Sequence, residues 1–423
     1  MTRVAITGMG AVTPVGHDAE STWQGLVEGR SGVGPITTFD ASTYPVRIAG
    51  MVEGFSLDDD LAEGSAAQYL SRSGTFGLAA AAEALRAAGL DADSPYAPEE
   101  RGVSIGAQVG RCELQEVSDI GQVLAESDGH RLMARSPGDV LRTHQNVASA
   151  AIAKVADAHG PMIGVSTACT ASAHSIGEAA RRIDEGEARM MVAGGHDALT
   201  TWLDVLGFAL LGALTKEYND DPEHASRPFD VNRSGFVLGE GGVMCVIEDW
   251  DSAKKRGATI LAEVAGYGSS MNAYRMTDPP PDGSGPAIAI AAALRDAEME
   301  RDEVDYVVAH GTGTPSGDPS ETAAIRRAFG EHADRLAVSS PKSMTGHTTA
   351  AAGALSVLAA VYAMRDGRIS PTMNLDEPDP ECDLDCVPNE AREREVGAAV
   401  VNAFAFGGTN ACVVLRAPEK AGE

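Results

Sequence analysis

Positive charge is scarce in this 423-residue sequence: 33 lysines and arginines stand against 61 aspartates and glutamates, a formal net charge of −28. Nucleic-acid binders carry basic faces, so this balance argues against that class of partner and speaks mainly for solubility. Long apolar runs are missing too, so no membrane-spanning segment is expected. The opening MTRVAITGMGAVTPVG leads straight into a strand pattern and lacks the layout of a signal peptide. Cysteines are few and scattered, at 112, 169, 245, 382, 386 and 412, which suits a reducing compartment. Cys382 and Cys386 form CDLDC, but no histidine or further cysteine lies close by, so no zinc site is read there. A phosphate-binding G-x-x-x-x-G-K-[ST] loop is absent, and the glycines of GMGAVTPVG miss the dinucleotide-binding spacing. They are read as tight turns. The expectation is a cytoplasmic enzyme.

What is present is an α/β alternation. Strand-like RVAITGMG, RGVSIGAQVG, MIGVST, ARMMVAGG and GGVMCVIEDW are interleaved with helical STWQGLVEG, TFGLAAAAEALRAAGL, ASAAIAKVADAHG and SAHSIGEAARRIDEG. A second series starts near residue 258. Its strands are ATILAEVAGYG, VDYVVAHGTG, LAVSSPKS, AAVVNAFAFGG and NACVVLRAP. Its helices are GPAIAIAAALRDAEM, DPSETAAIRRAFG and TTAAAGALSVLAAVYAMRDG. The same theme used twice predicts two halves, 1–255 and 256–423, with a site at their junction.

Cys169 lies in the first half, where GVST gives way to a helical pattern with Ile176, Ala179, Ala180 and Ile183 on one face. That places it near a helix N-terminus, where unpaired N–H groups and the macrodipole favour a thiolate. A small buried core cysteine and a nucleophile are both open readings at this point. His310 ends the apolar run YVV, and His347 enters an Ala-rich helix behind Lys342 in SSPKSMTGHTTAAAGAL. The other eight histidines are read as structural or exposed. One thiolate and two imidazoles fit a specific chemistry. The sulfur holds an acyl group, and two N–H donors stabilise the enolate left when a malonyl thioester loses carbon dioxide. A hydrolase would need one histidine base and its orienting partner.

Several ordered segments, RVAITGMGAVTPVG, VSTAC, RPFDVNRSGFVLGEGG, HGTGTP, KSMTGH and NAFAFGGTNA, closely resemble the β-ketoacyl-[acyl-carrier-protein] synthases of the thiolase superfamily, in particular the elongating type II enzymes. The resemblance covers almost the whole chain. It implies the duplicated five-layered α-β-α-β-α thiolase fold, usually dimeric. It implies Cys169 as the acyl-accepting nucleophile, His310 and His347 as the pair binding the malonyl thioester, and Lys342 as the lysine ordering their pocket. By the same resemblance Thr312 and Thr314 contact the phosphopantetheine arm. Phe404 and Phe406 belong to the gating loop, and the backbone N–H groups of Cys169 and Phe406 form the oxyanion hole. Val109, Gly138, Asp139 and Phe208 are its acyl-tunnel candidates. No cofactor is bound; the phosphopantetheine comes with an acyl carrier protein.

The sequence departs from the family pattern in four respects. Ser356 replaces a glutamate that helps hold the lysine, and Ala405 a small hinge residue, often glycine, ahead of the gating phenylalanine. In SPGDVLRTHQN (136–146), Gly138 and Asp139 replace two adjacent phenylalanines near the end of the acyl tunnel. In the basic patch that receives the carrier, only Arg72 of QYLSRS remains, and Gly212 stands where an arginine is common. These departures lead to the expectation of a ketosynthase from a dissociated polyketide system, as a homodimer or paired with a chain-length subunit. Fatty-acid elongation is the alternative. A non-catalytic chain-length subunit and a degradative thiolase are the lesser readings.

Overall fold

The computed structural model describes residues 2–62, 67–90, 94–110, 114–129 and 137–418. Cys112 and His130 lie outside these residues, as does the side chain of Asp139. A ten-stranded mixed sheet runs through the molecule. In chain order its strands are β1 (Val4–Val12), β2 (Arg101–Ala107), β3 (Met162–Val165), β4 (Met190–Ala198), β5 (Glu240–Asp249), β6 (Ala262–Met271), β7 (Tyr306–Val308), β8 (Ala337–Ser339), β9 (Ala398–Phe404) and β10 (Thr409–Arg416). Across the sheet the order is β8-β7-β9-β10-β6-β1-β5-β4-β2-β3.

That order is a duplication. Outward from the centre, each half takes its strands first, fifth, fourth, second, third. The directions repeat as well: the two inner pairings of each half are antiparallel and the two outer ones parallel. Only two residue pairs, Ala5 with Glu263 and Ile6 with Ala262, join β1 to β6 at the seam.

Six helices complete the layers: α1 (Arg72–Ala88), α2 (Gln145–Val155), α3 (Ala171–Asp184), α4 (Ser284–Asp296), α5 (Gly317–Phe329) and α6 (Ala352–Asp366). α1 and α2 cover the first half-sheet, and α4, with α5 against it, covers the second. Between the half-sheets lie α3 and α6, packed on each other. This is the five-layered α-β-α-β-α arrangement expected from the resemblance. The composition of α6 explains its place: AGALSVLAAVYA is apolar on every side, and residues 352–363 are all buried.

Some elements differ from the sequence reading. Gly8 and Gly10 were expected in turns but lie inside β1, beneath α1. A Cβ on Gly8 would stand 2.1 Å from the Ala84 carbonyl oxygen, and one on Gly10 2.0 Å from that of Ala80. Their missing side chains let an alanine-faced helix lie directly on the strand. Trp250 opens a helix (Trp250–Arg256) instead of ending a strand, because the Asp249 carboxylate accepts the Ser252 N–H at 2.9 Å and caps it. Helix Trp202–Leu210 was not read at all, although Thr201 and Asp204 give it a capping signal: the Thr201 hydroxyl accepts the Asp204 N–H and donates to its carboxylate at 2.6 Å. No helix among the described residues is long and apolar enough to cross a membrane.

Gly10→Ala is expected to lower unfolding stability by about 3 kcal/mol, the upper range for overpacking a tight interior. Urea unfolding followed by circular dichroism measures it, and a change under about 1 kcal/mol would contradict the close helix-on-strand contact.

Candidate active site

Each candidate residue sits where a regular element ends. β3 stops at Val165, and the chain turns through Ala168, which takes a left-handed φ of +52°. A β-carbon is strained there. One tight turn, Ala168–Thr170, closed by the Thr170 hydroxyl on the Thr167 carbonyl at 2.7 Å, then leads into α3 with Cys169 in its middle. The sequence shows the strand-to-helix junction but not the strained elbow.

His310 follows β7. Its backbone N–H donates to Glu321 Oε1 at 2.8 Å, and the Gly311 N–H donates to Oε2 at 2.7 Å. The Asn402 side-chain amide, from β9, also donates to Glu321, at 3.0 Å. One buried carboxylate on α5 therefore fixes the end of β7 against β9. Asp318 does the same for the next residues, accepting the Thr312 and Gly313 N–H groups, each at 3.2 Å, and that of Phe229 at 2.8 Å. Gly311 and Gly313 supply positive φ values of 32° and 76° in this loop. Arg233 donates to the Thr314 and Pro315 carbonyls at 3.1 and 3.2 Å and to Asp379 at 2.6 Å, holding the loop from outside.

His347 enters from the short helix Lys342–Thr345 through Gly346. Its N–H donates to the Val237 carbonyl at 2.7 Å, and its carbonyl accepts from Gly239 at 2.9 Å. The His347 ring stands edge-on to that of His310, centroids 5.3 Å apart at 85°, and to Phe236 at 5.5 Å. Asp197, at the end of β4, pins the next residues by accepting from the Thr349 hydroxyl at 2.6 Å and the Ala350 N–H at 3.1 Å.

Cys169, His310 and His347 line one cavity of about 400 Å³, together with Thr312, Thr314, Phe208, Phe404 and Phe406. The cysteine comes from the first half and the histidines from the second. Lys342 is buried but does not line the cavity. Val109 is half-exposed, and neither it nor Gly138 is among the cavity-lining residues. In the gating loop, positive φ falls on Gly407 and Gly408 and not on Ala405, so the Ala405 side chain meets no conflict in this conformation. Phe406 lies between Phe208 and Phe236, at centroid distances of 6.2 and 6.4 Å. No hydrogen bond among the described residues engages its backbone N–H.

Burial dominates the electrostatics. It pushes the Cys169 thiol up to about 12, against a lowering by the Lys342 charge, so the resting thiol is protonated. A stabilised thiolate was expected at the helix N-terminus; the burial of the sulfur works against it. Burial, then the Lys342 charge, holds both imidazoles, His310 and His347, well below the usual histidine range. They are neutral at pH 7, and each offers one N–H. His310 Nδ1 and both ring nitrogens of His347 are buried without a protein partner. Burial pulls the Lys342 ammonium down to about 8, with Glu321 the strongest influence in the other direction. Ser356, at the position of the family's glutamate, is fully buried, and its hydroxyl has no partner.

Sequence reasoning missed Glu321, Asp318 and Asp197, whose roles depend on burial; the first two stand within the quoted DPSETAAIRRAFG. It also missed Gln108, which lines the cavity with a buried, unpartnered amide nitrogen. Among the described residues, no group of three or more His, Cys, Asp or Glu side chains is placed to hold a metal ion.

Comparison with known proteins bears on the family and the fold. The models of the beta-ketoacyl synthase N-terminal and C-terminal domains match residues 1–253 and 261–376. The 3-oxoacyl-[acyl-carrier-protein] synthase 2 of Coxiella burnetii is 44% identical over 98% of both chains. The ishigamide ketosynthase/chain length factor superposes with a TM-score of 0.88 at 35% identity, over 99% of this chain and 100% of the other. The type II polyketide ketosynthase AntDE, solved with its acyl-carrier protein AntF, gives a TM-score of 0.86 at 32% identity over the same shares.

Two outcomes follow from the burial of this site. Alkylation of Cys169 by iodoacetamide, mapped by mass spectrometry, should climb continuously from pH 7 to pH 10, since the thiolate fraction grows about tenfold per pH unit below a raised pKa. A plateau by pH 8 would instead show a stabilised thiolate. Ser356→Ala removes an orphaned hydroxyl and should stabilise the fold by about 1 kcal/mol in urea unfolding; a loss of that size would reveal a partner for Ser356.

Proposed function

Because the chain belongs to the beta-ketoacyl synthase family, whose reaction is carbon–carbon bond-forming acyl transfer, we propose that it condenses a Cys169-bound acyl chain with malonyl-acyl carrier protein by decarboxylation. The convergence of Cys169, His310 and His347 on one cavity carries this reading. Cys169 Sγ attacks the thioester carbonyl of an acyl carrier protein. The carrier's phosphopantetheine sulfur leaves with the thiol proton, and an acyl-cysteine remains. A malonyl thioester then occupies the space beside the two imidazoles, and the bond to its carboxylate breaks with release of carbon dioxide. The electron pair passes into an enolate whose oxygen accepts N–H bonds from His310 and His347. Neutral imidazoles suit this role: they stabilise developing charge without supplying a proton that would quench the carbanion. The enolate carbon attacks the acyl-cysteine carbonyl, whose oxygen is met by the free Phe406 N–H, and the C–S bond to Cys169 breaks, its electron pair staying on the sulfur, which takes up a proton from water to restore the thiol. The product is a β-ketoacyl-carrier protein. Thr312 and Thr314 receive the phosphopantetheine arm, and Lys342 positions the histidines through its charge.

The names of the curated relatives support the elongation alternative better than the polyketide reading. We therefore propose elongation, the reaction those names describe, as the reading for this chain. The polyketide reading keeps two supports: the ketosynthase structures it resembles and the replacement of two tunnel phenylalanines by Gly138 and Asp139. The intact Cys169 and histidines weigh against a non-catalytic subunit. We further propose a dimer formed along β3, the open sheet edge, where Met162 is exposed.

Cys169→Ala should abolish acylation by carrier thioesters in intact-protein mass spectra. Cys169→Gln, which mimics the acylated state, should still release carbon dioxide from malonyl-carrier protein without condensing it. His310→Ala and His347→Ala should each cut condensation by about a thousandfold, as loss of an oxyanion donor does, while Cys169 is still acylated. Chain elongation by the Cys169→Ala protein would refute the assignment.

A further inference from the structure

Two cavities share one side chain. Gln108 lines the large one with Cys169, and it also lines a small one of about 10 Å³, with room for a single water-sized group. Gln145, His196, Ser71, Arg142 and His144 are among the other walls of the small cavity. The sheet explains the placement. β2 runs parallel to both its neighbours, with Gly106 opposite Val165 of β3 and Ala107 opposite His196 of β4. Gln108 therefore leaves β2 with His196 on one side and the turn carrying Cys169 on the other. Gln145 opens α2 and lies over β3, where a Cβ on Gly164 would stand 3.3 Å from its amide nitrogen. Three buried polar atoms of these walls have no partner among the described residues: Gln108 Nε2, Gln145 Oε1 and His196 Nε2. One donates, one accepts and the imidazole nitrogen can do either, yet they do not satisfy one another. His196 is only 2% exposed. Its Nδ1 lies 3.2 Å from Ser73 Oγ, and its ring rests on Gly77, where a Cβ would stand 2.6 Å from Cδ2. Burial brings this imidazole down to about 4, so it is neutral at pH 7. Ser71, by contrast, is committed to capping α1 and accepts the Gly74 N–H at 3.1 Å. Buried polar groups without partners are rare and costly, and three on one small cavity call for a ligand atom.

We propose that the small cavity is a hydroxyl subsite, through which Gln108, Gln145 and His196 select acyl chains that carry a hydroxyl group. The inference rests on the condensation reading, which puts the chain on Cys169, and goes further by naming the chain's chemical class. Thr312 and Thr314, read as receiving the phosphopantetheine arm, follow β7 in the second half. The first-half wall at Gln108 is left for the acyl chain. A hydroxyl is the group that matches all three atoms. Its oxygen accepts from Gln108 Nε2 and its proton goes to Gln145 Oε1, while His196 Nε2 donates to the remaining lone pair. A carbonyl oxygen would leave Gln145 unpaired, and a methylene would leave all three so. A single water also satisfies these groups; a hydroxyl displaces it and repeats its bonds, whereas an alkyl chain displaces it without replacement.

The test is competition for Cys169. The protein receives equal amounts of octanoyl-pantetheine and one monohydroxyoctanoyl-pantetheine, freshly prepared, with the hydroxyl moved along the chain from the third carbon to the last. The two acyl-enzymes differ by one oxygen atom, so intact mass reads their ratio. One positional isomer should outcompete octanoyl by about tenfold or more, as when a site built for a hydroxyl rejects the analogue lacking it. Gln108→Leu and Gln145→Leu each remove one partner and should bring that ratio below about twofold. The ratio is internal to each protein, so a slower variant still reports it; if one variant fails to fold, the other decides. Octanoyl loading as well as every hydroxylated isomer would overturn the proposal and leave the space to a resident water. An undiminished preference in a folded variant would overturn it as well. If no donor of either kind loads Cys169, the condensation reading itself fails, and the subsite falls with it.

Discussion

The closeness of two helix ends governs the rest of this molecule. α3 and α6 meet at their N-termini between the half-sheets, and no side chain separates them. A Cβ on Gly353 would stand 2.7 Å from the Ala173 nitrogen, and the Ser172 hydroxyl accepts the Ala354 N–H at 2.9 Å. Cys169 precedes one of these helices and His347 the other. Their shared cavity exists because glycine, alanine and serine allow backbone to approach backbone there. Asp197 adds a second tie, from β4 to the turn that opens α6.

Around that contact the protein uses buried carboxylates as scaffolding. Glu321 and Asp318 face inward and spend their oxygens on backbone N–H groups and one asparagine amide, so the loop carrying His310, Thr312 and Thr314 is held by charge-assisted bonds. Burial raises Asp318 to about 6 and raises Glu321 as well. The same dryness keeps the imidazoles uncharged and the thiol protonated. A single cause, exclusion of water, sets the protonation state of nearly every group in the pocket.

Much of this was legible in the sequence. Period-two and helical patterns located all ten strands of the main sheet and all six layering helices, and the repeat of the pattern announced the duplication. Cys169, His310 and His347 stood out because each closes or opens such a pattern. What the sequence withheld depends on contact in three dimensions. Gly8 and Gly10 look like turn residues until α1 is seen lying on them. The φ of Ala168 follows from the elbow being held at both ends. Glu321 and Asp318 read as ordinary acids in a helix's first turns until burial makes them structural. The thiolate expectation meets a related limit: a helix N-terminus is visible in sequence, and the burial that pushes the Cys169 thiol up is not. The tunnel candidates separated in the same way, with Phe208 in the cavity and Val109 out of it.

The duplication repeats architecture without repeating chemistry. α3 begins two residues after Cys169, and the residue two before the start of its counterpart α6 is Ala350, fully buried. One copy of the motif carries a cysteine; the other keeps only its frame, with alanine in that place. On the proposed chemistry, each polypeptide therefore offers a single point of covalent loading.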